Sequence, residues 1–197
     1  MVQAFSFSLQ GEKRLLDKFK KLPFLIQREA GLKTVTEGIL ALERAIKVNV
    51  SGKILRVRSG RLRASITHRI SQTSDGIEGK VGPNVPYARI HEFGGVIRPK
   101  RSKHLTIPIN EALTPAGVPR YTARRLISSP GIGGFERTFS AKKVIFGVRR
   151  GRAIPVFALV DMVRIKEKRY MRISLAETQT TIIESFRRNV QAAINRA

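Results

Sequence analysis

Two apolar patterns with helical spacing, one toward each end of the chain of 197 residues, most constrain the fold. The first begins after Pro23, a residue suited to the first turn of a helix, and continues to about Val48. The second runs from about Ser174 to Ile194, and Glu177 follows Ser174 in a capping-box arrangement. Because each apolar stripe must be buried, the patterns predict two long helices with one buried face each.

The remaining segments favour strands, turns and shorter helices. Residues 2–9 alternate apolar and polar side chains and predict a strand, whereas residues 11–22 predict a first helix. Strands are predicted at 66–72, 77–82, 104–109, 143–149 and 154–163, with a short helix after Pro86. Pro108 places its strand at a sheet edge or ends it. The pattern predicts an α+β fold with N-terminal helices, a mostly antiparallel sheet with hairpins and a long C-terminal helix.

Residues 114–152 differ in composition from the rest of the chain. Pro, Gly, Ser and Arg are frequent, and apolar periodicity is weak over 114–140. Such a segment offers little apolar surface for a core of its own. We therefore interpret residues 1–197 as a single α+β domain that carries a basic loop or arm insertion around 114–152.

The charge balance constrains the partners of the chain. There are 38 Lys and Arg against 14 Asp and Glu, which gives a formal net charge of +24 and a pI near 11.6. Residues 51–172 hold 26 of the basic and seven of the acidic side chains. A surface this basic favours binding to nucleic acid, an acidic protein surface or an anionic membrane.

Several protein classes are not supported by the sequence. The chain has no cysteine, so disulfides and cysteine-ligated metals are excluded. No apolar run approaches the ~18 residues of a membrane span, and the N-terminus does not resemble a signal peptide. We expect no membrane partner.

Catalytic and cofactor motifs are not recognisable either. His91-Glu92 begins like a zinc-protease helix motif, but Gly95 stands where the second histidine is needed. The acidic residues are scattered, and the glycines of 131–134 lack the Lys-Ser/Thr of a phosphate loop. We expect no enzyme activity, no catalytic residues, no cofactor and no metal site.

Nucleic-acid binding is the main alternative that charge alone allows. Lysine and arginine clusters recur through the middle of the chain, and such residues bind phosphates without reading sequence. Aromatic residues make up 7% of the chain, and no helix-turn-helix or zinc-finger spacing is present. The alternative is a non-catalytic, sequence-independent nucleic-acid-binding protein.

A more specific signal lies in residues 55–110. The first motif has the form Gly-x-Leu-x-x-Ser-Ile, with Gly60, Leu62, Ser65 and Ile66. The second has the form Val-Gly-x-x-x-x-Tyr-Ala-x-x-x-Glu-Phe-Gly, with Val81, Gly82, Tyr87, Ala88, Glu92, Phe93 and Gly94. Together they resemble the tailed-phage family of neck, head–tail joining and tail-completion proteins, which includes minor tail and virion morphogenesis proteins.

The resemblance implies a structural protein of the bacteriophage virion. The family implies a homo-oligomeric ring, commonly of six subunits, between the head connector and the tail. It also implies assembly in the host cytoplasm. The implied partners are further copies of the chain, adjoining connector and tail proteins, and the genomic DNA in the channel. We expect the subunit or DNA contacts to come from Arg61, Arg63, Arg120, Arg124, Arg125, Arg149, Arg150 and Arg152.

Most motif residues have simple structural interpretations. Glycines at 60 and 82 suit turns, and we expect Leu62, Ile66, Tyr87 and Phe93 to be core anchors. Glu92 is one of few acids in a basic stretch, so we expect it to pair with Arg89 or with an arginine of a neighbouring subunit.

Overall fold

A computed structural model describes residues 24–74, 76–129 and 131–196. The strand predicted at 2–9 and the helix predicted at 11–22 lie outside the described residues. The contacts divide the chain into two compact units. Unit 1 contains residues up to Arg56, Gly60–Glu92 and the chain from Lys168 onward, and unit 2 contains Val57–Ser59 and Phe93–Glu167. The single domain over 1–197 remains a prediction.

Unit 1 consists of two long helices and a hairpin. Helix α1 (Phe24–Val48) ends in a π-helical turn (Asn49–Lys53), and the short helix α2 (Arg61–Ala64) leads into strands β1 (Ile66–Thr73) and β2 (Gly76–Pro83). Helix α3 (Ala88–Phe93) follows β2 and lies in unit 1 up to Glu92. The long C-terminal helix of unit 1 is α5 (Tyr170–Ile194). The two strands pair in antiparallel register from Ile66–Pro83 to Thr73–Gly76, as the sequence predicts.

The core of unit 1 lies where the two long helices and the hairpin meet. Leu42 and Ile46 of α1, Ile66 of β1 and Tyr170 and Met171 of α5 are buried there. These are the stripes with helical and alternating spacing that the sequence displays. The fold is therefore α+β with antiparallel hairpins and a long C-terminal helix, as predicted.

The start of α5 differs from the prediction. The helix begins at Tyr170, and Ser174 is fully buried inside it, where its Oγ donates to the Tyr170 carbonyl at 2.7 Å. Glu177 caps nothing at the helix start; its carboxylate accepts hydrogen bonds from Asn49 Nδ2 and Lys53 Nζ. The capping-box interpretation was wrong because the cap of this helix comes from a distant part of the chain.

Polar side chains lie between the two long helices. Asn189 Nδ2 donates to Thr34 Oγ1 at 3.2 Å and to Glu37 Oε2 at 3.1 Å, and Ser185 Oγ also donates to Glu37. Further along, Asn49 Nδ2 donates to Ser174 Oγ at 2.7 Å. Because buried hydrogen-bonding groups must be paired, these contacts favour one register of the two helices.

Unit 2 is built on a four-stranded antiparallel sheet. Its strands are β4 (Leu105–Pro108), β5 (Arg137–Ala141), β6 (Val144–Arg149) and β7 (Arg152–Val160), in the order β4-β7-β6-β5. Strand β4 lies at an edge, as Pro108 predicts. Strands β3 (Gly95–Ile97) and β8 (Val163–Ile165) form a separate antiparallel pair.

Residues 114–152 contain more structure than their composition predicts. They include helix α4 (Ala123–Ser128), a 3-10 turn (Ile132–Gly134) and strands β5 and β6. Leu126, Phe135 and Ile145 from this stretch are buried in one cluster with Val156 and Phe157. The stretch therefore contributes to a core that it shares with β7, because a few apolar residues far apart in sequence converge on one sheet face. The basic loop or arm insertion around 114–152 stays a prediction.

Candidate assembly interface

The first family motif builds the entrance to the hairpin of unit 1. Gly60 has φ +71° and precedes α2, a left-handed conformation that favours glycine. Leu62 is half-buried against the core, and Ile66 is buried within it. Ser65 Oγ donates to the Leu62 carbonyl at 2.8 Å, while its own carbonyl accepts from Asn84 N at 2.9 Å. These four motif residues have folding roles, as expected for Gly60, Leu62 and Ile66.

Within the second motif, Val81 and Ala88 are buried, but Gly82 does not form a turn. Gly82 lies inside β2 opposite Thr67, and its φ is not positive. Gly94, rather than Gly82, is the glycine of this motif whose backbone conformation and surroundings require glycine. It has φ +70°, and an added Cβ would lie 2.8 Å from Glu167 N. The turn role expected of Gly82 is therefore corrected, and Gly94 is the position that admits no side chain.

Glu92 joins the second motif to the last helix. Its side chain is 1% exposed, and its carboxylate accepts the backbone N–H groups of Met171 at 2.8 Å and Arg172 at 3.3 Å. Arg172 Nε donates to the same carboxylate at 3.0 Å, and Arg172 Nη2 donates to the Glu92 carbonyl at 3.2 Å. The partner of Glu92 is thus Arg172 of its own chain and the start of α5, which corrects the expected pairing with Arg89 or a neighbouring subunit.

The position of the Glu92 carboxylate has a clear physical basis. The first N–H groups of a helix have no partner within it, and the helix dipole favours a negative charge there. No side chain at the residue before α5 caps the helix, because Arg169 stands there with φ +50°. Burial and then the nearby Glu92 charge raise the pKa of the Tyr170 hydroxyl.

Tyr87 and Phe93 are not core anchors. Tyr87 is 38% exposed and contacts His91 edge-on at 6.2 Å between ring centroids. Phe93 is 46% exposed. Large aromatic rings at the surface are enriched where proteins bind one another. The prediction that both rings are buried core anchors was therefore wrong.

The arginines expected at contacts fall into two groups. Arg149 is held within unit 2: Nη1 lies 2.7 Å from Glu111 Oε2, Nη2 donates to the Gly133 carbonyl at 2.6 Å, and the guanidinium lies 4.7 Å from the Phe135 ring centroid. Arg120 Nε also donates internally, to the Leu113 carbonyl at 3.0 Å. Exposed side chains form the second group, namely Arg124, Arg125, Arg150 and Arg152 in unit 2 and Arg61 and Arg63 in unit 1.

Unit 2 has a large cationic excess. It contains 16 Lys and Arg against four Asp and Glu, and three of the acids, Glu111, Glu136 and Asp161, have partners inside the unit. Asp161 Oδ2 lies 2.9 Å from Lys143 Nζ, and its Oδ1 lies 2.7 Å from His104 Nδ1; the bonds from Lys143 and then His104 lower the pKa of Asp161. Glu136 accepts the Arg150 backbone N–H at 2.8 Å. The exposed cations therefore outnumber the acids that could neutralise them.

Both faces of the four-stranded sheet carry apolar side chains. One face is covered by the cluster around Phe135, whose ring packs on Gly147. We call the opposite face the open face. By strand register it carries Leu105, Ile107, Arg137, Phe139, Ala141, Val144, Phe146, Val148, Ala153, Pro155, Ala158 and Val160. Among these described residues Arg137 is the polar one. Sequence analysis missed this face, although the near-continuous apolar run of 154–160 is typical of a strand buried on both sides.

Among the described residues, no His, Asp and Glu side chains cluster in a way that could hold a metal ion. The three histidines are apart: His68 contacts Glu43, His91 contacts Tyr87, and His104 contacts Asp161. No helix in the described part of the chain is long and apolar enough to span a bilayer.

Among the described residues, unit 1 exposes Tyr87, and unit 2 exposes Phe93, a surplus of cations and a second sheet face that carries apolar side chains. A family model, described as the phage virion morphogenesis family, matches residues 39–143. The chain belongs to this family, which confirms the resemblance seen in the sequence. The family supports a virion structural role rather than a catalytic one. No curated protein and no solved structure matches the chain significantly.

Proposed function

We propose that this chain is a non-catalytic subunit of the head–tail junction or upper tail of a bacteriophage. In this role, copies form a ring around the DNA channel and bind the adjoining connector and tail proteins. The observation that carries the proposal is the family match over 39–143, which spans both sequence motifs.

The charge distribution supports a position close to DNA or to acidic neighbours. A chain with a net charge of +24 repels further copies of itself unless anionic groups lie between or around them. The α4 arginines Arg124 and Arg125 and the turn residue Arg150 are exposed and suited to that contact. Arg149 is excluded from this set because its guanidinium is already bound within unit 2.

The proposal is tested by locating the chain in purified particles. We expect peptide mass spectrometry to detect it in washed, DNA-filled virions, and cryo-electron microscopy to place it as a ring between capsid and tail. Light scattering of the isolated chain measures whether it forms the ring without its neighbours. Absence of the chain from intact, infectious particles would overturn the proposal.

The second candidate, a free nucleic-acid-binding protein, is supported by the same exposed cations. It predicts tight, salt-dependent binding of the monomer to DNA or RNA of any sequence, because phosphate contacts release counterions. It also predicts that the chain stays outside the particle. The particle measurement and a salt titration with a duplex probe therefore separate the two functions.

A further inference from the structure

The open face of the four-stranded sheet lacks the polar side chains that a water-exposed face normally carries. An antiparallel sheet with one solvated face alternates apolar and polar residues along each strand. Here β6 presents Ile145 to the covered face and Val144, Phe146 and Val148 to the open face, where Val144 and Phe146 are half-buried and Val148 is buried. Phe139 stacks on Phe146 with 5.2 Å between ring centroids and is 41% exposed. Such a face gains free energy when another surface covers it.

Cationic side chains lie at both ends of the open face. At one end, Lys142 and Lys143 form the turn between β5 and β6, and at the other end Arg137 and Arg150 stand beside the β6–β7 turn. Lys142 and Lys143 have φ of +46° and +62°. Glycine or asparagine adopts that conformation at lower cost, so turn geometry does not explain two lysines there.

From this arrangement we propose that the open face docks a different virion protein, whose contact surface is apolar at its centre and acidic at its margins. The proposal rests on the virion role proposed above. It identifies the surface of unit 2 that holds the neighbour and the chemistry of that neighbour. The apolar strip supplies the desolvated centre of the interface, and Lys142, Arg137 and Arg150 supply its charged margins, since Lys143 is paired with Asp161.

Charge complementarity selects this occupant over two others. A second copy of unit 2 would bring cations against cations, because 16 Lys and Arg face four acids there and three of those acids are engaged within the unit. Nucleic acid is disfavoured because Arg137 is the single open-face side chain that can donate a hydrogen bond to phosphate, and Phe139 is already stacked on Phe146. An acidic protein surface satisfies both the apolar centre and the cationic margins.

The test uses the absence of cysteine from the chain. Ala141→Cys places a single thiol on the open face, and Ser140→Cys places one on the opposite face of the same strand; both positions are exposed. We expect maleimide to label both thiols in the isolated chain. In purified particles we expect loss of labelling at 141 and retention at 140. Equal labelling of both thiols in particles would overturn the proposal.

The occupant is identified with p-benzoyl-phenylalanine at position 139, an aromatic replacement at the exposed ring. After irradiation of particles, we expect mass spectrometry to find this position joined to an acidic segment of another virion protein. A crosslink to a further copy of this chain, or to nucleotides, would overturn the acidic-partner assignment.

The cationic margins are tested separately with Arg137→Glu and Lys142→Glu combined. We expect this variant to fold but to be lost from particles, whereas Lys33→Glu, an exposed charge reversal on α1, is incorporated. Circular dichroism of each isolated chain controls for folding. Incorporation equal to that of the Lys33 variant would refute the role of the margins. If the unsubstituted chain is itself absent from particles, the proposed virion function fails rather than the choice of surface.

Discussion

Glu92 and Met171 are 79 residues apart in sequence, yet the carboxylate of one accepts the backbone N–H of the other at 2.8 Å. A glutamate in a family motif therefore caps the last helix of the chain. Because the carboxylate is buried, water does not replace it as the acceptor for the first N–H groups of α5 when the side chain is removed.

Glu92→Ala should lower the free energy of unfolding by about 1–3 kcal/mol, since it leaves buried helix N–H groups and the Arg172 guanidinium without their acceptor. Urea denaturation followed by circular dichroism measures the loss. Glu184→Ala is the control, because Glu184 is exposed on the same helix and accepts no hydrogen bond among the described residues. Equal effects of the two substitutions would refute the capping role.

The contacts of Glu37 predict an acid-sensitive component of stability. Hydrogen bonds from Ser185 first, then from Asn189 and Arg188, outweigh desolvation and lower its pKa below the ordinary value of 4.5. A pKa lowered by folding gives stabilisation that is present above the unfolded value and is lost as pH falls through the folded value. Glu37→Gln should therefore weaken the decline in stability below pH 4.5. Urea midpoints across this range test it, and an unchanged decline would contradict it.

Two glycines should respond oppositely to alanine. A Cβ at Gly147 would lie 2.5 Å from the Phe135 ring, so Gly147→Ala should destabilise the protein by about 1–3 kcal/mol or more through overpacking. Gly31 lies inside α1, where an added Cβ meets Ile77 Cδ1 at 3.4 Å. Gly31→Ala should be neutral or stabilise by up to about 1 kcal/mol, since alanine favours helix. Thermal unfolding of both variants measures the contrast.

Arginine substitutions should separate folding from assembly. Reversing the charge at Arg124, Arg125, Arg150 and Arg152 should leave the isolated chain folded but weaken its incorporation into particles. Arg149→Ala should instead destabilise unit 2, by about 1 kcal/mol after allowance for its partial exposure, because three contacts are lost. Circular dichroism and particle composition measure the two effects. Stable, infectious particles from the quadruple reversal would show that these four charges serve solubility alone.

The elements that sequence predicts well are those with local signals. The hairpin of β1 and β2, the β6–β7 hairpin at Gly151 and the edge position of Pro108 each follow from turn chemistry or a missing N–H. The start of α5 could not be predicted in this way. Its cap is Glu92, which lies far from α5 in sequence, so the residues next to the helix start do not indicate where the helix begins.

The candidate interface was predicted only in part. Exposed arginines on α4 follow from charge, but sequence does not distinguish Arg124 from Arg149, which is bound to Glu111. Tyr87 and Phe93 were assigned to the core because aromatic residues are usually buried, and tertiary packing placed both at the surface. The open face of the sheet depends on strand order, which a single sequence does not specify.

The chain leaves unit 1 after Glu92 and re-enters it at Lys168, and the two points are joined. Lys168 N donates to the His91 carbonyl at 2.8 Å, and Arg169 N donates to the Glu92 carbonyl at 3.2 Å. Residues 93–167 are thus a long insertion whose two flanking segments are hydrogen-bonded to each other within unit 1. Since closure entropy grows slowly with loop length, residues 93–167 could lengthen, shorten or be exchanged over evolution at little cost to the helices and hairpin that hold them.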